Sequence, residues 1–347
     1  MKGNTVFFRS SPSIVTSAAV GGKMEGDGPM SACFDKINED PYFSCETFEQ
    51  GESKLLKEAV LHALDKGSLT PEGIDVMFGG DLLDQCVGTT YGIKDLDIPY
   101  LGIYGACSTV TEGVLLSSLF VDCGYADRAL AVTSSHFCAA ERQYRLPLGY
   151  GGQRTPTSQY TATAAGALVV SAERLPPYVR AATVGRVVDM GVKDAANMGA
   201  AMAPAAYASL SQFFKDSELR PEFFDAIVTG DLGKVGSRLL CELFERDGVD
   251  IRSLHRDCGT MLYSFEEQDV HAGASGAGCA ASMLCGYFVP RLRSGEFKNI
   301  LFAATGALLS PTVNAQGESI PAISHTVWLS FDAGNVPDIR FERKEPL

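Results

Sequence analysis

The chain has 347 residues, 46% hydrophobic and 20% charged, which suits a globular protein of one or two domains with a large core. Its formal charge of −13 and isoelectric point of about 4.9 argue against a nucleic-acid backbone as partner and oppose an anionic bilayer surface, so any membrane attachment would run through protein partners. The ten cysteines are scattered without a C-x-x-C pair, which reads as free thiols in a reducing compartment, with neither a disulfide framework nor a metal site.

Residues Met1 to Ser13 lack the charged-then-apolar pattern of a signal peptide. Val6 to Phe8 and Ser13 to Val20 read as strands, and Gly21 to Pro29 as a loop. Glu52 to Lys66 is an amphipathic helix with Leu55, Leu56, Ala59, Val60 and Ala63 on one face; Leu69-Thr70-Pro71-Glu72 then leads to a strand at Val76 to Phe78. Ile98 to Tyr104 has β character. It runs into Gly105-Ala106-Cys107-Ser108-Thr109, and Val110 to Cys123 is apolar or small almost throughout, the pattern of a buried helix. Cys107 thus falls at a strand-to-helix junction, where unpaired N–H groups favour negative charge and lower a thiol pKa toward a reactive thiolate; the alternative is an inert, space-filling cysteine.

Further on, Thr133-Ser134-Ser135 ends a strand and should project His136 toward the same region. Gly149 to Thr157 is a loop carrying Gln153 and Arg154. Ala272 to Val289 has 18 residues without a charge, but its Gly, Ala, Ser and Cys content gives a weak transfer energy, so it reads as a buried helix with its lead-in loop. Gly273 to Gly278 lacks both a strand directly before it and a G-K-[ST], which argues against a nucleotide loop.

The pattern repeats at an offset of 150 residues. Leu69, Pro71, Glu72, Asp75, Gly80, Asp81 and Leu82 match Leu219, Pro221, Glu222, Asp225, Gly230, Asp231 and Leu232; further on, without keeping that offset, Arg128 to Ser134 resembles Lys298 to Gly306, each about 20 residues beyond the start of a small, apolar helix. A period this long indicates two fused α/β halves, 1–175 and 176–347, with the junction near Glu173 to Tyr178.

The duplication, the Gly-Ala-Cys-Ser-Thr stretch and Asp269-Val270-His271-Ala272-Gly273-Ala274-Ser275-Gly276 together resemble the thiolase fold. Thiolases carry a similar His-x-x-Gly-Ala-Ser-Gly run, and ketoacyl-ACP synthase III enzymes a Gly-Ala-Cys run. The resemblance implies a five-layer α-β-α-β-α core built from two duplicated halves, with buried helices starting near Cys107 and Gly276 as its central layer. Longer runs, among them Ser134 to Cys138, Gly151 to Pro156, Asn197 to Ala206 and Gln316 to Pro321, are similar to the SpoVAD family of spore-forming bacteria. That similarity implies a non-catalytic sporulation protein that needs no cofactor. It would bind dipicolinic acid (pyridine-2,6-dicarboxylate), with or without calcium, and act with other SpoVA proteins in moving it into the developing spore. It would sit peripherally at the inner membrane of the forespore or spore, and thiolase-fold proteins commonly pair as homodimers.

Through the resemblance, Cys107 takes the position of the thiolase nucleophile and His271 that of the histidine activating it. Asp231 falls where thiolases have Asn and ketoacyl synthases His. A carboxylate there supplies no fixed N–H donor for an oxyanion and repels one. The second thiolase cysteine has no counterpart in Ala303-Ala304-Thr305-Gly306-Ala307. The three positions therefore read as a vestigial acyltransferase constellation. A binding pocket in the same place would use Cys107, Ser108, His136, Arg154, Asp231, His271 and Gly273. Helix N-termini would face the dianion, and a cation such as the His271 imidazolium, Arg142, Arg145 or Arg154 would pair with a carboxylate. Asp231 could ion-pair with His271, stay protonated, or help hold a calcium-chelated ligand. Three readings stand at this point: a dipicolinate binder, an acyltransferase using Cys107 and His271, and a scaffold for membrane partners.

Overall fold

The computed structural model describes residues 1–144 and 154–334; Arg145 and Gly151-Gly152-Gln153 lie outside the described residues. The first five main strands are β1 (Ser13–Gly22), β2 (Val76–Gly80), β3 (Tyr100–Gly102), β4 (Arg128–Ser135) and β5 (Ala164–Ser171). A second five follow: β6 (Tyr178–Thr183), β7 (Ala226–Thr229), β8 (His255–Asp257), β9 (Asn299–Ala307) and β10 (Ala322–Ser330). The helices used below are α1 (Phe48–Lys66), α2 (Val87–Ile93), α3 (Thr109–Asp122), α4 (Phe137–Tyr144), α5 (Met198–Ser217), α6 (Gly233–Arg246) and α7 (Ala277–Met283).

The two blocks of strands repeat one topology. The orders are β3-β2-β4-β5-β1 and β8-β7-β9-β10-β6. In each block the first two pairings are parallel and the last two antiparallel. The blocks meet at Ser13 opposite Tyr178. The recurring residues are accounted for locally. Pro71–Gly73 and Pro221–Phe223 form the same tight turn, and the aspartate after each turn fastens the neighbouring strand. Asp75 accepts the Asp127 and Arg128 amides at 2.8 and 3.0 Å, and Asp225 those of Lys298 and Asn299 at 2.5 and 2.9 Å.

Alternation along the strands sets the layers. On β4, Leu130 and Val132 pack with Leu55, Leu56, Ala59 and Val60 of α1, while Ala129 and Ala131 face inward onto Val110 and Val114 of α3. On β9, Leu301 and Ala303 pack with Met202, Ala206 and Leu210 of α5, while Ile300 and Phe302 face inward. The inner cluster holds α3, α7 and side chains of both blocks, which completes the five layers. A helix between two sheets has no solvent face, hence the small, uncharged run at α7. Gly278 must be glycine, because a Cβ there would lie 2.1 Å from the Ala164 carbonyl oxygen of β5. The helix continues through one π turn, Leu284–Phe288, into Val289–Ser294. Among the described residues no helix is long and apolar enough to cross a membrane.

Some boundaries differ from expectation. The helix expected from Glu52 starts at Phe48, because Thr47 and Gln50 form a reciprocal cap. In the expected loop at Gly21, β1 runs on to Gly22 and Lys23–Gly26 makes one helical turn. The β run from Ile98 shrinks to Tyr100–Gly102, an outermost strand that among the described residues pairs with β2 alone. Ala303 to Ala307, expected as a loop, lies within β9.

One buried charge stands out in the first half. Glu52 of α1 is fully buried; its Oε1 accepts from Ser134 Oγ at 3.1 Å, its Oε2 has no donor, and Asp81 lies close by. Burial, and then Asp81, push its carboxyl well above the usual carboxylate range. A raised folded-state pKa costs stability once the pH exceeds the unfolded value, and the cost grows until the folded pKa is reached. Glu52→Gln should therefore stabilise the protein at pH 7.5 by about 1 kcal/mol or more, with a smaller gain at pH 5; chemical denaturation of both proteins at the two pH values checks this.

Candidate functional site

The Gly-Ala-Cys-Ser-Thr stretch forms a tight turn, Ala106–Ser108, directly ahead of α3. Ala106 sits in the left-handed region at φ +50°, which makes the chain change direction sharply and delivers Cys107 to the base of a cavity. The turn is fastened from within: Ser108 Oγ donates to the Gly105 carbonyl and Thr109 Oγ1 to the Ala106 carbonyl, both at 2.7 Å. Gly306 of β9 approaches so closely that a Cβ would lie 1.9 Å from the Gly105 carbonyl oxygen, which brings the second half against this turn.

The second half supplies Asp231. Asp257, at the end of β8, accepts from Thr229 Oγ1 at 2.7 Å and from the Leu232 and Gly233 amides at 2.8 and 3.0 Å, so it fixes the Gly-Asp-Leu loop. Gln159 Nε2 donates to the Asp231 and Ala274 carbonyls, each at 2.7 Å, and ties that loop to the segment leading into α7. Asp231 Oδ2 accepts the Gly276 amide at 2.8 Å and Ser275 Oγ at 3.4 Å. Its Oδ1 is buried with no donor. Burial pushes the Asp231 carboxyl up to about 7. Cys107 faces it, and burial together with this carboxyl raises the thiol well above its ordinary value. The expected helix-terminal activation of Cys107 is thus overturned: desolvation and a neighbouring carboxyl outweigh the amide dipoles.

The cavity above Cys107 measures about 80 Å³, several times the ~10–15 Å³ that one water needs. Tyr104, Ala106, Cys107 and Leu82 wall one side, Ala140, Glu141 and Tyr144 of α4 another, and Ala195, Met198 and Met202 a third. Thr161, Ser275, Ala307 and Leu309 complete it. Tyr144 donates to the Leu82 carbonyl, and its hydroxyl lies 2.7 Å from that of Tyr104. Among the described lining residues there is no Lys, Arg or His.

The structure brings Cys107 and Asp231 together but directs the other expected residues elsewhere. His271, in the left-handed region at φ +48°, places its Nε2 3.0 Å from Asp269 Oδ1, and it does not line the cavity. Val270 between them is fully buried, so its two neighbours turn outward together. The spacing agrees: three positions ahead of Gly273-Ala274-Ser275-Gly276, where the thiolase run has its histidine, stands Val270. An ion pair between Asp231 and His271, one of the options for that carboxylate, is therefore not made. Arg154 is held by Asp269, 2.9 Å from Nη2 to Oδ2, and lies over the Tyr160 ring. Arg142 pairs with Glu49. His136 is buried, with Nε2 2.7 Å from the Pro41 carbonyl oxygen and its ring beside Phe43 and Phe48, and burial lowers its pKa. Ser108 fastens the turn as above, and Gly273 serves through its backbone, its carbonyl accepting the Tyr160 amide at 2.8 Å.

Tyr104, Tyr144, Met198, Met202 and Ser275 are lining residues that the sequence reading passed over. Ser275 was within reach of it: laying Gly273-Ala274-Ser275 on Gly105-Ala106-Cys107 puts the hydroxyl at the place of the thiol, each ahead of a central helix. The tyrosines and methionines carry no such signal, because the tyrosine pair and the methionine pair come from different halves and form one cavity only when these are packed together.

Comparison with known proteins places this geometry. The solved structures similar to it include 3-oxoacyl-[acyl-carrier-protein] synthase III of Aquifex aeolicus VF5, at TM-score 0.55 and 13% identity over 92% of this chain and 99% of that one. OleA of Xanthomonas campestris matches at TM-score 0.59 and 12% identity, over 93% of this chain and 100% of that one. At such identities the likeness concerns the fold, which is that of the thiolase and ketoacyl synthase III enzymes. In sequence, the stage V sporulation protein AD of Bacillus subtilis (strain 168) is 43% identical over 317 residues, covering 91% of this chain and 94% of that protein. The family model for Stage V sporulation protein AD (SpoVAD) matches residues 2–330. The chain is a member of the SpoVAD family of sporulation proteins, on a thiolase-like fold.

Proposed function

We propose that this protein binds dipicolinic acid in the cavity above Cys107 and serves its SpoVA-dependent movement into the developing spore, without catalysing a condensation. The observation that carries the reading is the pairing of Cys107 with Asp231. A cavity of small-molecule size is kept, but the thiol at its base is held protonated by burial and a carboxyl, where condensation needs a thiolate and a donor to an oxyanion. Apolar walls with two tyrosine rings suit a flat aromatic acid. Calcium would arrive chelated by the ligand. Other SpoVA proteins would be the partners through which the protein sits at the inner membrane of the spore. The acyltransferase reading keeps one observation in its favour, that Cys107 still lines the cavity.

A homodimer belongs to the same proposal. β3 is an outermost strand, Leu101 on it is 50% exposed, and Tyr91 and Tyr104 nearby are exposed as well. An unpaired edge with apolar side chains is a surface to which a second copy can add its own edge.

Three measurements bear on this. Calorimetry should give saturable dipicolinate binding that is absent for benzoate and falls at least tenfold in Met198→Trp, which fills the cavity; His271→Ala should leave the affinity within twofold. On incubation with acetyl-CoA, intact mass spectrometry should find no Cys107 adduct, and iodoacetamide should label Cys107 more slowly than the exposed Cys123. An acetyl adduct with CoA release would favour the enzyme instead. Light scattering should give the mass of a dimer, and Leu101→Asp that of a monomer.

A further inference from the structure

The expected ligand is a dianion, yet the walls described around it hold no cation, and a buried carboxyl, Asp231, stands behind the Cys107 thiol. That conflict points to how the site accommodates charge. Asp231 is fully buried; no N–H or O–H of the described residues donates to its Oδ1, and the facing Cys107 thiol is the weak donor that interacts with this carboxyl. The titratable groups facing it come from every element that packs there: Cys107 ahead of α3, Asp257 at the end of β8 with Cys258 beyond it, and Cys279 on α7. All are thiols or carboxyls. Asp257 already accepts from Thr229, Leu232, Gly233 and Thr260 and is spoken for. An anion seated over Cys107 and Ser275 therefore meets an ionised Asp231 as a like charge in a medium of low dielectric, which disfavours both.

We infer that dipicolinate binding is coupled to the uptake of one proton by Asp231, which sits on Oδ1 and removes the negative charge behind Cys107 that the ligand would otherwise meet. The inference rests on the dipicolinate reading above and deepens it: the proton comes from solvent, no bond to the ligand is made or broken, and the site becomes neutral as the cargo arrives. Release at higher pH follows from the same linkage. Because the free carboxyl sits at about 7, binding should be insensitive to pH well below that value and weaken above it.

The test is calorimetry of sodium dipicolinate binding in calcium-free buffers of different ionisation enthalpy, at pH 5.5 and pH 8, on the wild-type protein and Asp231→Asn. At pH 8 the wild type should take up about half a proton or more per ligand, and at pH 5.5 close to none, with affinity falling severalfold from pH 7 to pH 8. Asp231→Asn, with a permanent N–H donor, should bind with no proton uptake and a flat pH profile. Binding by the wild type without proton uptake at pH 8, or uptake that persists in Asp231→Asn, overturns the coupling and leaves the dipicolinate reading standing. Absence of wild-type binding at both pH values overturns the two together. The wild-type proton count decides the matter even if the variant does not fold.

Discussion

The structure depends on placing two helices between two sheet blocks, where α7 is buried at every position and α3 over most of its length. This demand explains the small side chains of α7 and the glycine at 278, since a larger or charged residue there would separate the layers or bury an unpaired charge, and it leaves the two carboxylates of α3, Glu112 and Asp122, at positions that are only partly buried. It also explains where the site is. The turn ahead of α3 and the segment ahead of α7 converge on one spot, and there the chain carries Cys107, Ser275 and Asp231.

Duplication gave the two halves the same parts, and they have been put to different uses. Asp81 and Asp231 occupy one position in the repeat. Asp81 turns inward on its own loop, accepting from the Leu83 amide and from both the amide and hydroxyl of Thr89, at 2.6 to 2.9 Å. Asp231 reaches across to the Gly276 amide and leaves one oxygen open toward Cys107. The first is a structural cap, and the second is a contact across the halves behind the thiol that lines the cavity. A symmetric fold thus yields a single asymmetric site, whose chemistry differs from what a thiol at a helix terminus would ordinarily offer.

The vestigial appearance of the site has a physical basis beyond a list of changed residues. Amide dipoles at a helix terminus favour a thiolate by an amount that burial beside a carboxyl readily exceeds. Tyr104 and Tyr144 spend their hydroxyls on each other and on the Leu82 carbonyl, so they shape the cavity more than they polarise it. What remains is a small chamber with largely apolar walls over a thiol that burial and a neighbouring carboxyl hold protonated.

Much of this was legible in the chain. The 150-residue offset, kept by Asp75 and Asp225 because each carboxylate fastens the next strand, already implied two similar halves. The mostly apolar run after Cys107 and the uncharged run after Gly273 marked both central helices, and Cys107 and Asp231 were both named as site positions, although the partner expected for the thiol was His271. The sequence did not determine which way His271 would turn. One residue of spacing decides that, and with Val270 anchored in the core the imidazole goes out to Asp269. Nor did it determine the state of Cys107 or the walls around it. Local pattern fixes which segments become strands and helices, because periodicity and size act between near neighbours. Desolvation and cavity shape arise between residues far apart in the chain, so only the packed tertiary structure could decide them.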